Sequence, residues 1–219
     1  MRWYGQWNPP SDEVLFRNYF EAQSSGTFLE CGAADGVSFS CCKAFEDMGW
    51  KGINIEGKEA HFKTLLSYRP NSVLNLHAAL SDRDGQAIFR NEVVEKQLLP
   101  GEVSQTDVIR SICISTAIEE SKLGYLDLLC LDIEGYEPVV LTDMMNSGTF
   151  PKVICVEYPH CTLRKIHDIL SPKYSMDGIS FNNAYFSLPD VNVKRPFWGR
   201  TAEVFLRDGG WVFPEVAEF

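Results

Sequence analysis

From residue 27 onward, short apolar runs alternate with longer segments whose apolar positions recur every three or four residues. The runs at 27–31, 51–56, 72–77, 125–132 and 153–157 read as strands, and 37–48, 59–68, 116–122, 138–147 and 162–170 as helices. Strands alternating with helices predict a parallel sheet joined by crossovers. The run at 125–132 is apolar at most positions, as expected of a central strand covered on both faces. Pro138 stands in the first turn of its helix, where a missing N–H costs little. Residues 174–179 and 184–188 add two late strands. Residues 86–94 read as a partly extended excursion, and 100–107 as the most loop-like internal stretch. Ahead of the first strand, Ser11-Asp12-Glu13 followed by Val14, Leu15, Phe16, Tyr19 and Phe20 reads as a capped amphipathic helix. The expected fold is α/β: a doubly wound, Rossmann-like sheet, mostly parallel, with an antiparallel C-terminal strand pair.

Composition narrows this picture. A chain of 219 residues, 45% hydrophobic, can bury one full core and reads as a single domain. Its expected parts are an N-terminal helix and cap (1–26), a core (27–188) and an aromatic C-terminal extension (189–219). No apolar run is long enough to span a membrane, and the first residues lack the apolar core of a signal peptide, so a cytoplasmic protein is expected. Seven cysteines, with an adjacent pair at Cys41-Cys42 and no C-x-x-C, indicate neither a disulfide framework nor a zinc ribbon. Cys130 and Cys155, inside apolar runs, read as small buried hydrophobes.

The net charge of −10 argues against a nucleic-acid partner, whose backbone is bound by neutralising Lys and Arg. The acidic excess lies wholly within residues 1–159; beyond them acids and bases are equal in number. An acidic half suits a cationic ligand better than a polyphosphate, although solubility accounts for the charge equally well.

Ligands of such sheets bind at the carboxyl ends of the parallel strands, and four of those ends carry acids: Glu30, Glu56, Asp132 and Glu157. Residues 28–36 read Phe-Leu-Glu-Cys-Gly-Ala-Ala-Asp-Gly, and Glu56 follows twenty residues past Gly36. An acid, a glycine turn and a later acid ending the next strand point to a nucleoside-bearing cofactor. The loop Gly32-x-x-x-Gly36 is not the three-glycine dinucleotide fingerprint, so a diphosphate is the weaker reading. The plain alternative is an ordinary tight strand-to-helix turn. In the functional reading, amides at the start of the helix from Val37, with Ser38 nearby, serve a ligand carboxylate, while Glu30 and Asp35 meet an ammonium.

Leu-Asp-Ile-Glu-Gly-Tyr-Glu at 131–137 places three acids at the end of the central strand, Asp132 at its terminus. Glu137 alternatively serves the N-terminus of the following helix, and Gly135 a turn. Val-Glu-Tyr-Pro-His at 156–160 ends the next strand, so Glu157 and His160 are expected beside Asp132. Two roles are open for this trio. They act as general bases toward a hydroxyl, or as oxygen and nitrogen ligands of a divalent cation, Mg or Mn. A histidine after Pro159 is also commonly a solvated loop residue.

These segments, Glu30-Cys-Gly-Ala-Ala-Asp-Gly36, Ile55-Glu56, His77-Ala-Ala-Leu-Ser-Asp82, the run 127–137 and Val156-Glu157, resemble in their order the FkbM family of S-adenosylmethionine-dependent methyltransferases. The resemblance spans about residues 27–188. It implies a class I methyltransferase fold and O-methylation of a sugar or related small-molecule hydroxyl. It also implies that Glu30, Gly32, Asp35 and Gly36 surround the methionine part of S-adenosylmethionine. Glu56 would bind the ribose, Ala79, Leu80 and Ser81 flank the adenine, and Asp132 lie between donor and acceptor. His61 and His77 match no such role. Two positions depart from the family: Cys130 stands where a base is common, and Gly57 where proline is common.

The acceptor is less legible. Aromatics gather at both ends of the chain, Trp3, Tyr4 and Trp7 at one and Phe197-Trp198 between Arg195 and Arg200 at the other. They either stack on an acceptor such as a sugar ring, cover a sheet edge, or form a homodimer contact. A protein or nucleic-acid acceptor, and a non-catalytic cofactor-binding module, are the competing readings.

Overall fold

The computed structural model describes residues 1–102, 104, 106–194 and 197, with backbone alone for 205–207 and 210–212. Its main sheet has seven strands: β1 (Thr27–Cys31), β2 (Lys51–Glu56), β3 (Leu74–His77), β8 (Leu128–Leu131), β9 (Val153–Glu157), β10 (Ser175–Ser180) and β11 (Asn183–Ser187). The order across the sheet is β3-β2-β1-β8-β9-β11-β10. The pairs β1–β2, β2–β3, β1–β8 and β8–β9 are parallel, and β11 runs antiparallel to both neighbours. The chain therefore winds outward from β1 in one direction and from β8 in the other. Their carboxyl ends form the switch point where ligands of such sheets bind.

Strand periodicity divides the core. Leu29, Ile53, Ile55, Leu129, Leu131, Ile154 and Val156 face one side, under helices α4 (Ile114–Ser121), α5 (Glu137–Ser147) and α6 (Leu163–Leu170). Phe28, Leu128, Cys130, Val153, Cys155 and Tyr185 face the other, packing with Val14, Leu15, Phe20, Phe45 and Trp50. Helix α6 starts at the side chain of Thr162, which accepts from the Lys165 amide. At the opposite edge, α3 (Glu59–Tyr68) connects β2 to β3.

Three segments depart from the pattern reading. The helix expected at 37–48 forms only as α2, Lys43–Asp47. Positive φ at Gly36 (84°) and Phe39 (63°) breaks the helical path, and side chains take up the amides around it. Asp35 accepts from the amides of Val37 (2.8 Å) and Ser38 (2.7 Å), and Glu30 from those of Cys41 and Cys42. The expected N-terminal cap is also different: α1 is short (Ser11–Leu15), continues as a π-helical turn through Phe20, and has Pro10 at its N-cap. Asp12 is instead fully buried, accepting from the amides of Tyr4 (2.7 Å), Gly5 (3.1 Å) and Glu13 (3.0 Å), and so ties the N-terminal segment to the core.

The excursion at 86–94 belongs to a second sheet of β4 (Ala79–Leu80), β5 (Gly85–Arg90), β6 (Val93–Gln97) and β7 (Val108–Ile112), ordered β4-β7-β5-β6. Among the described residues its own buried cluster is Ala79, Ala87 and Ile109, while Leu80 and Ile112 join the main core, so the apolar signal there is faint. Arg195, Trp198 and Arg200 lie outside the described residues. Phe197 is buried against Tyr19 and Tyr185. No helix among the described residues is long and apolar enough to cross a membrane.

Candidate active site

The glycine turn after β1 is fixed by what approaches it. Gly32 has φ +79°, and a Cβ there would lie 1.8 Å from the Asp132 carbonyl oxygen. Its amide and that of Ala33 both donate to the Ile55 carbonyl, at 3.1 and 3.2 Å. Gly36, at φ +84°, packs on the Arg69 side chain. The turn thus brings the ends of β1, β2 and β8 together.

Beside it lies a cavity lined by Gly32, Glu56, Ala79, Leu80 and Asp132, with Phe89 and Tyr136 on its walls. The Glu56 carboxylate accepts from the amides of Ala34 (2.8 Å) and Lys58 (2.6 Å), which fix its orientation, while burial raises its pKa. His61 also lines this cavity, although no motif singled it out. His77 contacts the Gly57 carbonyl at 3.0 Å and stacks on Phe62. Ser81 is fully buried and bonded to Asp82 and Gln97. It supports the neighbouring strand without lining the cavity.

Glu30, Asp35 and Ser38 are engaged differently from the expectation. The buried Glu30 accepts from Ser40 Oγ (2.8 Å), from the amides of Cys41 (2.7 Å) and Cys42 (3.2 Å), and from Arg69 Nη1 (3.3 Å). Burial raises its pKa against the opposing pull of Arg69. Arg69 is itself fully buried, reaching also the Gly36 carbonyl (2.9 Å), Asn54 (2.9 Å) and the Glu46 carboxylate (2.8 Å). Glu30 is therefore an internal anchor of the loop, and its ammonium partner is a guanidinium of this chain. Asp35 and Ser38 bond each other, so the Val37 and Ser38 amides are not presented to a ligand. Arg69 carried no sequence signal, because nothing local distinguishes it from a solvated helix-end base.

Asp132 and Glu157 end neighbouring strands, so their carboxyls lie close enough to interact. Asp132 is accessible to solvent and lines the concave site. Poor solvation, then the charges of Glu157 and Glu134, push it up to about 8. Burial likewise raises Glu157. Like charges this close favour holding one proton between them.

The expected trio of Asp132, Glu157 and His160 is assembled in part. The ligand atoms that lie within 4.8 Å of one another are those of Glu134, Glu157 and His160. His160 Nε2 is 3.0 Å from Glu134 Oε2. Positive φ at Glu134 (57°) and Gly135 (100°) turns this loop toward β9, with Gly135 close under the His160 carbonyl. Glu137 has the alternative role: buried at the start of α5, it accepts from the Ile133 amide at 2.9 Å.

A second cavity adjoins the first. Cys31, Gly32 and Asp132 line both, and the second is completed by Glu157, Trp7, Phe39, Asn183, Cys41, Cys130 and Cys155. Trp7 stacks on Phe181, centroids 4.8 Å apart and planes 11° from parallel, and both rings are partly exposed. Of the other N-terminal aromatics, Trp3 packs on Phe16, and the Tyr4 hydroxyl donates to Asp47 at 2.6 Å.

Comparison with known proteins bears on this arrangement. The chain is similar to a TehB-like SAM-dependent methyltransferase from Corynebacterium glutamicum, with 9% identity and a TM-score of 0.46 over 81% of this chain and 86% of that one. It is similar also to CalS10, an amino pentose methyltransferase from Micromonospora echinaspora, with 9% identity and a TM-score of 0.41 over 82% and 87%. Likeness at these levels says nothing of what the chain acts on. No curated protein matches the sequence. The profile described as the methyltransferase FkbM domain matches residues 30–170, from the last acid of β1 through α6, and so takes in the glycine turn, Glu56 and both strand-end acids. The match covers well over half of the chain, which belongs to the FkbM family of S-adenosylmethionine-dependent methyltransferases.

Proposed function

We propose that this methyltransferase is O-directed and acts on a hydroxyl of a sugar or related small molecule, bound in the cavity beneath Trp7. The observation that carries this reading is that Gly32 and Asp132 are shared between two cavities, one beside Glu56 and one beside Glu157. A donor on one side and an acceptor on the other would meet at the Asp132 carboxyl.

S-adenosylmethionine, when bound, supplies a methyl group on a sulfonium, a good leaving group. The protein then has to orient two reactants and remove one proton. Glu56, aimed by two backbone amides, receives the ribose hydroxyls, and Ala79 and Leu80 provide an apolar wall for the base. Asp132, paired with Glu157, accepts the acceptor proton. The partly exposed Trp7 and Phe181 offer an aromatic surface to the apolar face of a sugar ring.

The carboxylates of Glu134 and Glu157 with the His160 imidazole form a donor set that fits a divalent cation such as Mg or Mn. A cation held there would make the hydroxyl more acidic.

The test is methyl transfer from isotopically labelled S-adenosylmethionine to a panel of sugars and glycosides, with proteins and nucleic acids in parallel. Label in a sugar ether supports the reading. Label confined to protein or nucleic acid replaces the acceptor class, and binding of the donor without any product makes the chain a cofactor-binding module.

A further inference from the structure

Three of the seven cysteines come together where the chain gave no spacing motif. Cys130 and Cys155 are register partners on β8 and β9, so their side chains stand next to each other on one face of the sheet. Both are buried, at 4% and 1% exposure. Cys41, half-buried, reaches them from the loop that Glu30 holds through the Cys41 amide. The three sulfur atoms lie within 4.8 Å of one another. Around a single ion, Zn–S bonds of about 2.3 Å place sulfurs roughly 4 Å apart, so the spacing is within a small adjustment of a coordination triangle.

Packing of small apolar groups accounts for Cys130 and Cys155 individually. It does not account for all three thiols opening onto one cavity, together with Asp132 and Glu157. The cluster is also held on both sides. In the same row across the sheet, Glu30 pairs with Cys130 and Tyr185 with Cys155. Cys42, next along the loop, places its sulfur 3.5 Å from that of Cys130.

We propose that Cys41, Cys130 and Cys155 form a binding site for a soft, thiophilic d10 cation of the zinc class, with its fourth position directed into the acceptor cavity. Sulfur ligands select such ions over Mg or Mn, so this site and the carboxylate–imidazole set of Glu134, Glu157 and His160 have opposite preferences. On binding, three S–H bonds give way to three metal–sulfur bonds and three protons pass to the buffer. A water or an acceptor atom from the cavity completes the tetrahedron.

The experiment uses the full chain, purified with a phosphine reductant, stripped by chelation and titrated with cadmium, whose thiolate complexes absorb in the ultraviolet. The expected result is a sulfur-to-cadmium band that saturates at one ion per chain and is displaced by zinc. Cys41→Ser and Cys130→Ser should each remove the tight one-to-one phase. Cys113→Ser, and the pair Glu134→Gln with His160→Ala, should leave it intact. Because Cys130 lies in the core, circular dichroism must first show a folded variant, and Cys41→Ser on the loop gives the decisive answer if it is not. A second reading is protection of Cys41 from alkylation by one equivalent of zinc. The proposal is overturned by the absence of a one-to-one band, by a band that survives Cys41→Ser in a folded protein, or by alkylation that zinc does not slow.

Discussion

Gly32 lies so close to Asp132 that a methyl group on its Cα would meet the aspartate's carbonyl oxygen at 1.8 Å. The glycine turn and Asp132 are therefore one unit: the turn can pass Asp132 only as glycine, and only at positive φ. Gly32→Ala combines backbone strain with a clash against rigid main chain. It should destabilise the protein by about 2–4 kcal/mol and abolish binding of S-adenosylhomocysteine. Thermal unfolding and calorimetry check both effects.

Arg69 should matter more than its place at a helix end indicates. Its guanidinium is fully buried and joins Glu30, Glu46, Asn54 and the Gly36 carbonyl. Removing one partner of a buried charge network leaves the others uncompensated, at a cost of about 3–5 kcal/mol. Arg69→Met should lower denaturant stability by that order, and Arg69→Lys should recover little of it, since one ammonium cannot reproduce the planar fork. Full rescue by lysine would show that charge alone is needed.

Binding and turnover should separate between Glu56 and Asp132. Loss of a charged hydrogen-bonding group at the ribose should weaken cofactor affinity roughly 10–100-fold in Glu56→Ala, with turnover at saturating cofactor little changed. Asp132→Asn should lower turnover by about 10²–10⁴-fold with near-normal cofactor affinity. Equal turnover in the two variants at saturating cofactor would contradict this division.

Asp12 gives the stability a pH dependence of defined sign. Burial raises its pKa from 3.8 to about 6, outweighing the backbone hydrogen bonds that oppose it. The folded state therefore holds the proton over a range in which the unfolded chain has released it. This contribution to stability is full below pH 4, is lost as pH rises to about 6, and amounts to on the order of 3 kcal/mol. The difference in unfolding free energy between the wild type and Asp12→Ala, followed by urea denaturation from pH 4 to 7.5, should move in favour of Asp12→Ala across that window. A constant difference would remove the assignment.

The carboxylate–imidazole set predicts a response to chelation. If a hard cation assists the reaction, exhaustive chelation should lower activity at least tenfold. Added Mg or Mn should restore it in the wild type but not in Glu134→Gln, where one oxygen ligand is lost. Unchanged activity after chelation would leave proton transfer to Asp132 and Glu157 alone.

Strand lengths, apolar periodicity and terminal acids are local properties, and the sequence by itself determined them: the seven-stranded sheet, its crossovers on α3 to α6, and the positions of Glu30, Glu56, Asp132 and Glu157 at strand ends. The second sheet escaped because its own core is little more than Ala79, Ala87 and Ile109, too few apolar positions to set up an alternation. The helix expected from Val37 failed because Phe39 takes a positive φ and Glu30 draws the Cys41 and Cys42 amides away from helical pairing, a competition that composition does not display. Only the tertiary structure decided which groups meet. Register alone puts Cys130 against Cys155, positive φ at Glu134 and Gly135 swings Glu134 to His160, and burial of Arg69 turns Glu30 from a ligand contact into a loop anchor. Each of these pairings joins residues distant in sequence, so its energy depends on distances that no local pattern encodes.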